Sequence, residues 1–307
     1  MRVAVMGSGG LGSYFGGLLA RSGQDVTLIA RGPHLEAMRT RGLIVRSAVV
    51  GEFVVPVSAT SDPAAAGVVD LVIVGVKTYD LDMAAEQMRP LLGPETVVLP
   101  LENGIDAAER LARVIGPGAV LGGVAYVSSF VNEPGVVRHV ALNTIILGEL
   151  NGQPSARVER VAQVLRGAGI GCETPPDIRV ALWEKFIFLA GIGGVMAVTR
   201  LTAGPLRQCE AASALFRGAM DEAWAVGRAA GMCLAPDLVE RKWQEVLRLP
   251  AGAHGSMLQD LKAGRRLELE ALNGTVVRRG GELNVPTPLN FAVYAALKPY
   301  ANGALAA

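Results

Sequence analysis

Charge is scarce in this chain of 307 residues. Only 19% are Asp, Glu, Lys or Arg, and the two signs nearly cancel to a formal net charge of +1. Neither a basic patch nor an acidic tail stands out, so nucleic acid is not expected as a partner. Cysteine is rarer still. Cys172, Cys209 and Cys233 lie scattered, with no C-x-x-C pair, which fits reduced thiols in a cytoplasmic protein. The histidines His34, His139 and His254 are equally dispersed, so no metal-ligand spacing arises and no metal is expected. The first residues lack the basic region, apolar stretch and cleavage site of a secretory signal. The longest charge-free stretch in the C-terminal half, Phe186 to Thr199, is short for a bilayer and reads as a buried core helix, so no membrane is expected. Repeats and low-complexity segments are missing too. Half the residues are hydrophobic, enough for a large core and, at this length, for two domains.

Glycine, with 38 residues, is abundant, and it clusters at the start. An apolar run of strand type in Met1-Arg2-Val3-Ala4-Val5-Met6 leads into Gly7-Ser8-Gly9-Gly10-Leu11-Gly12, a G-x-G-x-x-G pattern. A helix-compatible stretch, Tyr14 to Ala20, follows, then a second strand-like run, Asp25 to Ala30. Strand, glycine turn, helix and strand together form the context a dinucleotide fingerprint requires. Gly7 permits the sharp turn out of the strand. Gly9 leaves the backbone open to a pyrophosphate. Gly12 lets the helix pack close. The N–H groups and dipole at the helix start favour the phosphates. The second strand ends in Arg31 rather than in the acid that would hold an unphosphorylated ribose; Asp25 sits at the wrong end. A guanidinium at position 31 suits a 2′-phosphate, so NADP is expected over NAD.

The first half alternates strand-like and helix-like segments, as in a doubly wound sheet. Leu71 to Val76 and Thr96 to Leu101 read as buried parallel strands. Asp80 to Leu92 and Ala107 to Ile115 read as helices. Val120 to Ser128, Val136 to Val140 and Thr144 to Leu147 read as further strands, with Glu133-Pro134-Gly135 as a turn. Pro175-Pro176 marks a boundary. The expected division is a Rossmann-type domain over 1–174 and an all-helical domain for substrate and dimerisation over 175–307. The helices expected in the latter are Ile178–Val198, Ala211–Ala230, Pro236–Leu247, Met257–Arg278 and Asn290–Ala304. A substrate cleft between the two domains is expected.

Several residues could carry chemistry. Lys77 and Asn103 follow strands directly, at the carboxyl ends where open α/β sheets bind ligands; loop polarity and the turn pair Asn103-Gly104 explain them equally well. Lys185 sits on a helix apolar almost all round. It is either a desolvated proton donor or a lysine that snorkels or pairs with Glu184 or Asp177. Glu268 and Glu270 follow Arg265-Arg266, a pattern that also suits a solvated helix with Arg–Glu pairs. Ser256 reads as a helix N-cap, with Gln259 completing a capping box, at a helix start that could also attract a carboxylate.

Taken together, these residues resemble the 2-dehydropantoate 2-reductase (ketopantoate reductase) family. The resemblance covers Gly7 to Gly12, Arg31, Val76-Lys77, Asn103-Gly104, Gly148-Glu149, Leu182-Trp183-Glu184-Lys185, and Ser256-Met257-Leu258-Gln259-Asp260 through Glu268 to Asn273-Gly274. It implies a Rossmann domain plus a helical domain, and NADPH-dependent reduction of a branched 2-keto acid in pantothenate biosynthesis. Lys185 would be the general acid. Glu268 would be the second catalytic residue, orienting the substrate and reaching the cofactor. Asn103 and Ser256 would bind substrate, with Asn103 also near the nicotinamide ribose. The Gly7–Gly12 loop, Arg31 and Lys77 would bind NADP. The chain departs from the family where Asn usually stands, at Leu189 and Gly193, and has Asp80 where Gln is more usual. A missing amide removes a polar contact and the discrimination built on it. The alternatives are therefore a reductase of another keto acid or imine, or a catalytically silent NADP-binding protein. The apolar helical domain leaves room for a homodimer.

Overall fold

The computed structural model describes residues 1–304. The chain divides into two compact units. Unit 1 comprises Met1–Glu102 and Asp106–Ile178; unit 2 comprises Asn103–Ile105 and the chain from Arg179 onward. The division falls after Ile178 rather than after 174, and the loop residues Asn103–Ile105 group with the helices.

Unit 1 is built around a parallel sheet with helices, as the alternating pattern implies. Its strands are β1 (Arg2–Met6), β2 (Asp25–Ile29), β5 (Ser58–Thr60), β6 (Leu71–Val74) and β7 (Val97–Pro100), in the order β5-β2-β1-β6-β7. Every neighbouring pair is parallel. β6 and β7 are buried along their whole length, as strands covered on both faces must be. Strand order reverses direction beside β1, so the loop after β1 opens at a topological switch point. The helices are α1 (Gly10–Arg21), α2 (Gly32–Arg41), α3 (Leu81–Gln87), α4 (Ala107–Ile115) and α5 (Ala156–Gly167).

A second sheet was not foreseen. β3 (Leu43–Ser47) and β4 (Gly51–Val55) form an antiparallel pair, and β3 runs parallel to β9 (Val136–Gly148). β8 (Gly122–Glu133) and β10 (Gly171–Glu173) also pair with β9. The stretches 136–140 and 144–147, expected as two separate strands, are thus one long strand of this second sheet. It passes Leu142 with φ 64°. The Glu133-Pro134-Gly135 turn joins β8 to β9 as expected, with Gly135 at φ 79°. α1 lies between the two sheets. A Cβ on Gly16 would stand 2.6 Å from Leu28 of the first, and one on Gly17 would stand 3.0 Å from Leu43 of the second. Gly12 to Leu19 are all buried, because both faces of this helix meet a sheet.

Unit 2 is helical: α6 (Ile178–Leu189, whose first residue groups with unit 1), α7 (Met196–Thr199), α8 (Ala203–Gln208), α9 (Glu210–Ala229), α10 (Leu238–Arg248), α11 (Ser256–Lys262), α12 (Asn273–Glu282) and α13 (Pro288–Leu297). Its core gathers Trp183, Phe186, Ile187, Phe216, Met220, Trp243, Leu258 and Val276, among others. Between α6 and α7 the chain widens into a π-helical turn, Ala190–Val195. Joined by that turn, Ile178–Thr199 is a 22-residue run long and apolar enough, by length and composition, to cross a membrane. Its residues belong largely to the core cluster, and the core-helix reading rests on that packing rather than on shortness.

Two expected helices are corrected. Met257–Arg278 is not continuous: α11 stops at Lys262, Gly264 takes φ 63°, and the chain is irregular until α12 starts at Asn273. Leu267 and Leu269 are buried with Glu268 between them also buried, so consecutive side chains here enter the interior. Ser256 is not an N-cap. Gly255 holds that position, extended at φ −74° and ψ 157°, and no side chain caps the helix. The capping box therefore does not form.

Candidate functional site

In unit 1 the candidate site is backbone. Gly7 turns the chain out of β1 at φ 99°. A Cβ there would stand 2.7 Å from Val76 Cγ1, and one on Gly12 would stand 2.2 Å from the Gly7 carbonyl oxygen. Both glycines therefore serve protein packing. Gly10 does too: a Cβ on it would reach 2.4 Å from the Ser129 carbonyl oxygen. Gly9 is different. It is exposed, and a Cβ on it would meet nothing within 4 Å. Beside that opening, α1 starts without an acidic residue or side-chain cap in its first turn. Its first N–H groups lack intrahelical partners. Open space before uncapped donors fits an anionic pyrophosphate.

Arg31 is exposed at the N-cap of α2, beyond the end of β2, and its guanidinium donates to Gln87 Oε1 at 3.2 Å. Among the described residues it forms no ion pair. Lys77 precedes the short turn Thr78–Asp80 and is half-buried. The segment carrying it runs beside the glycine loop, because Gly75 N–H donates to the Met6 carbonyl at 2.9 Å.

In unit 2 the candidate residues come from widely separated stretches. Glu268, in the irregular segment before α12, is 6% exposed, and its Oε2 accepts from Asn103 Nδ2 at 3.2 Å. A carboxyl group so buried needs hydrogen-bond partners. Glu270, two residues on, is exposed and pairs with Lys298 and Tyr294; it is a surface residue. Lys185 is half-buried on α6. Leu189 and Ile192, one and two turns further, are half-buried as well, whereas Phe186, Ile187, Ala190 and Gly191 are buried. Leu182, Glu184 and Phe188 are half-buried too, and Phe188, Leu189 and Ile192 pack against the core of unit 2. Ser256 is exposed at the first residue of α11.

One organising contact escaped sequence reading. Asn273, fully buried, donates from Nδ2 to the Ala190 carbonyl at 3.1 Å and to Asn290 Oδ1 at 2.9 Å. Asn290 in turn donates to the Ala219 carbonyl and to Glu222 Oε2. A Cβ on Gly194 would lie 2.1 Å from Asn273 Oδ1, so only glycine admits the amide there. Ala190 and Asn273 follow Lys185 and Glu268 by five residues each, and their hydrogen bond ties the two segments together. The Asn273-Gly274 motif was visible, but nothing local announced its partner.

Comparison with known proteins bears on the family and the fold. Residues 3–152 match the family model described as ketopantoate reductase PanE/ApbA, and residues 177–301 match its C-terminal counterpart. A 2-dehydropantoate 2-reductase of Mesorhizobium japonicum is 33% identical over 97% of each chain. The crystal structure of a PanE/ApbA family ketopantoate reductase from Ralstonia eutropha superposes with a TM-score of 0.91 at 36% identity, covering 98% of both chains. D-mandelate dehydrogenase, solved with NADH and anilino(oxo)acetate, has the same TM-score at 22% identity over 98% of both chains, which shows a shared fold. The chain described here therefore belongs to the ketopantoate reductase family, whose members are oxidoreductases acting on CH–OH groups.

Proposed function

We propose that this protein reduces a 2-keto acid to the 2-hydroxy acid with NADPH, and that 2-dehydropantoate, yielding pantoate, is its substrate. The observation that carries the reading is the buried Glu268 carboxylate held by Asn103 in the same unit as the half-buried Lys185. Unit 1 takes the cofactor: the Gly7–Gly12 loop receives the pyrophosphate, Arg31 the 2′-phosphate and Lys77 a further cofactor group. When bound, NADPH supplies the hydride to the carbonyl carbon. Lys185 donates a proton to the carbonyl oxygen as negative charge develops there. Glu268 accepts the substrate hydroxyl and, held by Asn103, fixes its orientation. Asn103 and Ser256 bind the remaining polar groups of the substrate. NADP is preferred over NAD because Arg31 offers a guanidinium where an acid would serve the unphosphorylated ribose. A cytoplasmic location rests on the sequence, whose three cysteines are scattered without a C-x-x-C pair.

A second reading keeps the chemistry and changes the substrate. Leu189 presents an apolar side chain one turn from Lys185, and a Cβ at Gly193 would already meet Leu272 at 3.1 Å. An amide at 193 would have to displace that leucine, so polar contacts from these positions are replaced by hydrocarbon. A substrate lacking the hydroxyl of 2-dehydropantoate, or a cyclic imine, suits such a wall better. The test is NADPH oxidation across 2-dehydropantoate, other 2-keto acids and cyclic imines, repeated with Lys185→Ala. That variant should lose roughly 100- to 10,000-fold in kcat. Undiminished turnover in Lys185→Ala would sink the mechanism. NADPH binding without turnover of any panel member would indicate a silent binding protein.

A further inference from the structure

The glycine loop is braced from behind by two side chains outside its motif. Ser8, between Gly7 and Gly9, is buried, and both its N–H and its hydroxyl donate to the Ile29 carbonyl at 3.0 Å. The Ser8 carbonyl accepts from Ser13 Oγ at 2.9 Å. Ser13 is fully buried in α1. Its hydroxyl has one hydrogen, engaged by Ser8, so toward His34 Nε2, 3.1 Å away, it acts as acceptor. On the other side of that ring, Nδ1 accepts the Gly135 N–H at 2.9 Å. Both bonds require the same neutral tautomer, with the proton on Nε2.

We propose that the Gly135 N–H, His34 and Ser13 form a relay of positioning groups that fixes the Ser8–Gly9 peptide for phosphate binding; the proposal rests on the reading that this loop holds a dinucleotide. A trans peptide carries its C=O and N–H on opposite sides. Pinning the Ser8 carbonyl to the buried Ser13 hydroxyl turns the Gly9 N–H the other way, away from Ser13, at a residue where even a Cβ would meet nothing within 4 Å. Glycine on both sides of Ser8 restrains this peptide weakly. Without the clamp it can flip and present a carbonyl oxygen to the anion instead. Burial pushes the His34 pKa down, partly offset by its approach to the Ser8 backbone, which favours the neutral ring that the relay needs. His34 lies in the first turn of α2, the helix capped by Arg31. The brace therefore joins the pyrophosphate loop, the start of α2 and the β8–β9 turn.

The experiment is a fluorescence titration of NADPH into the full chain and three variants. Asn at 34 keeps an acceptor near Nδ1 and loses the donor at Nε2. Gln at 34 keeps a donor near Nε2 and loses the acceptor. Ser13→Ala and His34→Asn should weaken NADPH by about tenfold, worth about 1.4 kcal/mol, whereas His34→Gln should stay within roughly threefold of the parent. Adenosine 2′-monophosphate, which has no pyrophosphate, should bind all four proteins alike. Thermal midpoints identify any variant that fails to fold, and the two His34 variants decide the matter if Ser13→Ala does. Folded Ser13→Ala or His34→Asn binding NADPH like the parent overturns the relay, as does an equal loss for adenosine 2′-monophosphate. A parent chain that binds no NADPH overturns the cofactor reading itself, and the relay with it.

Discussion

In unit 1 the groups proposed to meet the pyrophosphate are backbone N–H groups of the Gly7–Gly12 loop, where side chains are missing. In unit 2 the groups proposed to act on the substrate are side chains, Lys185, Glu268 and Asn103; the bond between Asn103 and Glu268 spans 165 positions. A backbone site tolerates change at residues that only surround it and fails where a Cβ enters the cradle. A side-chain site depends on charge and protonation, and on contacts such as Asn273 with Ala190. Substitutions in the two units should therefore separate affinity for the cofactor from the rate of the chemical step.

The largest separation is expected at Glu268. Glu268→Gln preserves shape and removes the charge, and should lower kcat by roughly 100-fold or more while the KM for NADPH stays within about twofold. Steady-state kinetics with saturating substrate checks this; a raised KM for NADPH with normal kcat would break the division. Arg31→Ala should weaken NADPH by roughly 10- to 100-fold, the worth of hydrogen bonds between charged groups, and leave NADH unchanged in the same titration. Equal effects on both nucleotides would remove the 2′-phosphate from the account. Within the glycine loop, Gly12→Ala should cost about 1–3 kcal/mol of stability, because the new Cβ presses on the Gly7 carbonyl. Gly9→Ala should cost less than about 0.5 kcal/mol yet weaken NADPH. Denaturant melts paired with titrations distinguish packing glycines from the ligand glycine.

A further effect concerns the stability of unit 1 alone. Arg157 pairs with Glu149 at 2.6 Å, and its hydrogen bonds hold the Glu149 carboxyl below the usual range. A carboxyl with a lowered folded-state pKa contributes stability above its unfolded value. That contribution is lost as pH falls through the folded value. Glu149→Gln should thus cost about 1 kcal/mol at neutral pH and almost nothing in strong acid, as acid and neutral urea melts would reveal. A constant difference across pH would mean packing rather than charge.

These contrasts also explain what could be read from the chain. The glycine loop was legible because its parts are contiguous and its strand and helix flank it. The apolar stretch Tyr14 to Ala20 announced burial, but not that two sheets bury it. β3 and β4 went unseen, and with them the second sheet to which β8 and β9 belong. Lys185 stood out because an ammonium interrupts an apolar helix. Glu268 could not be told from a solvated neighbour of Arg266, since its burial depends on Asn103 and on the break after Lys262. Ser13 and His34 carried no pattern at all: a serine after the motif and a histidine three residues past Arg31 become partners only in three dimensions.

The run from Ile178 to Thr199 has a consequence for synthesis. Its π turn packs against α9, α11, α12 and α13, all of which emerge from the ribosome later. At roughly 5–20 residues per second, a segment apolar enough for a bilayer waits several seconds for the helices that bury it. Over that interval it is a candidate substrate for chaperones and for membrane-insertion machinery alike. A chain truncated before α13 should aggregate or partition onto lipid vesicles in a flotation assay, and the full chain should do neither.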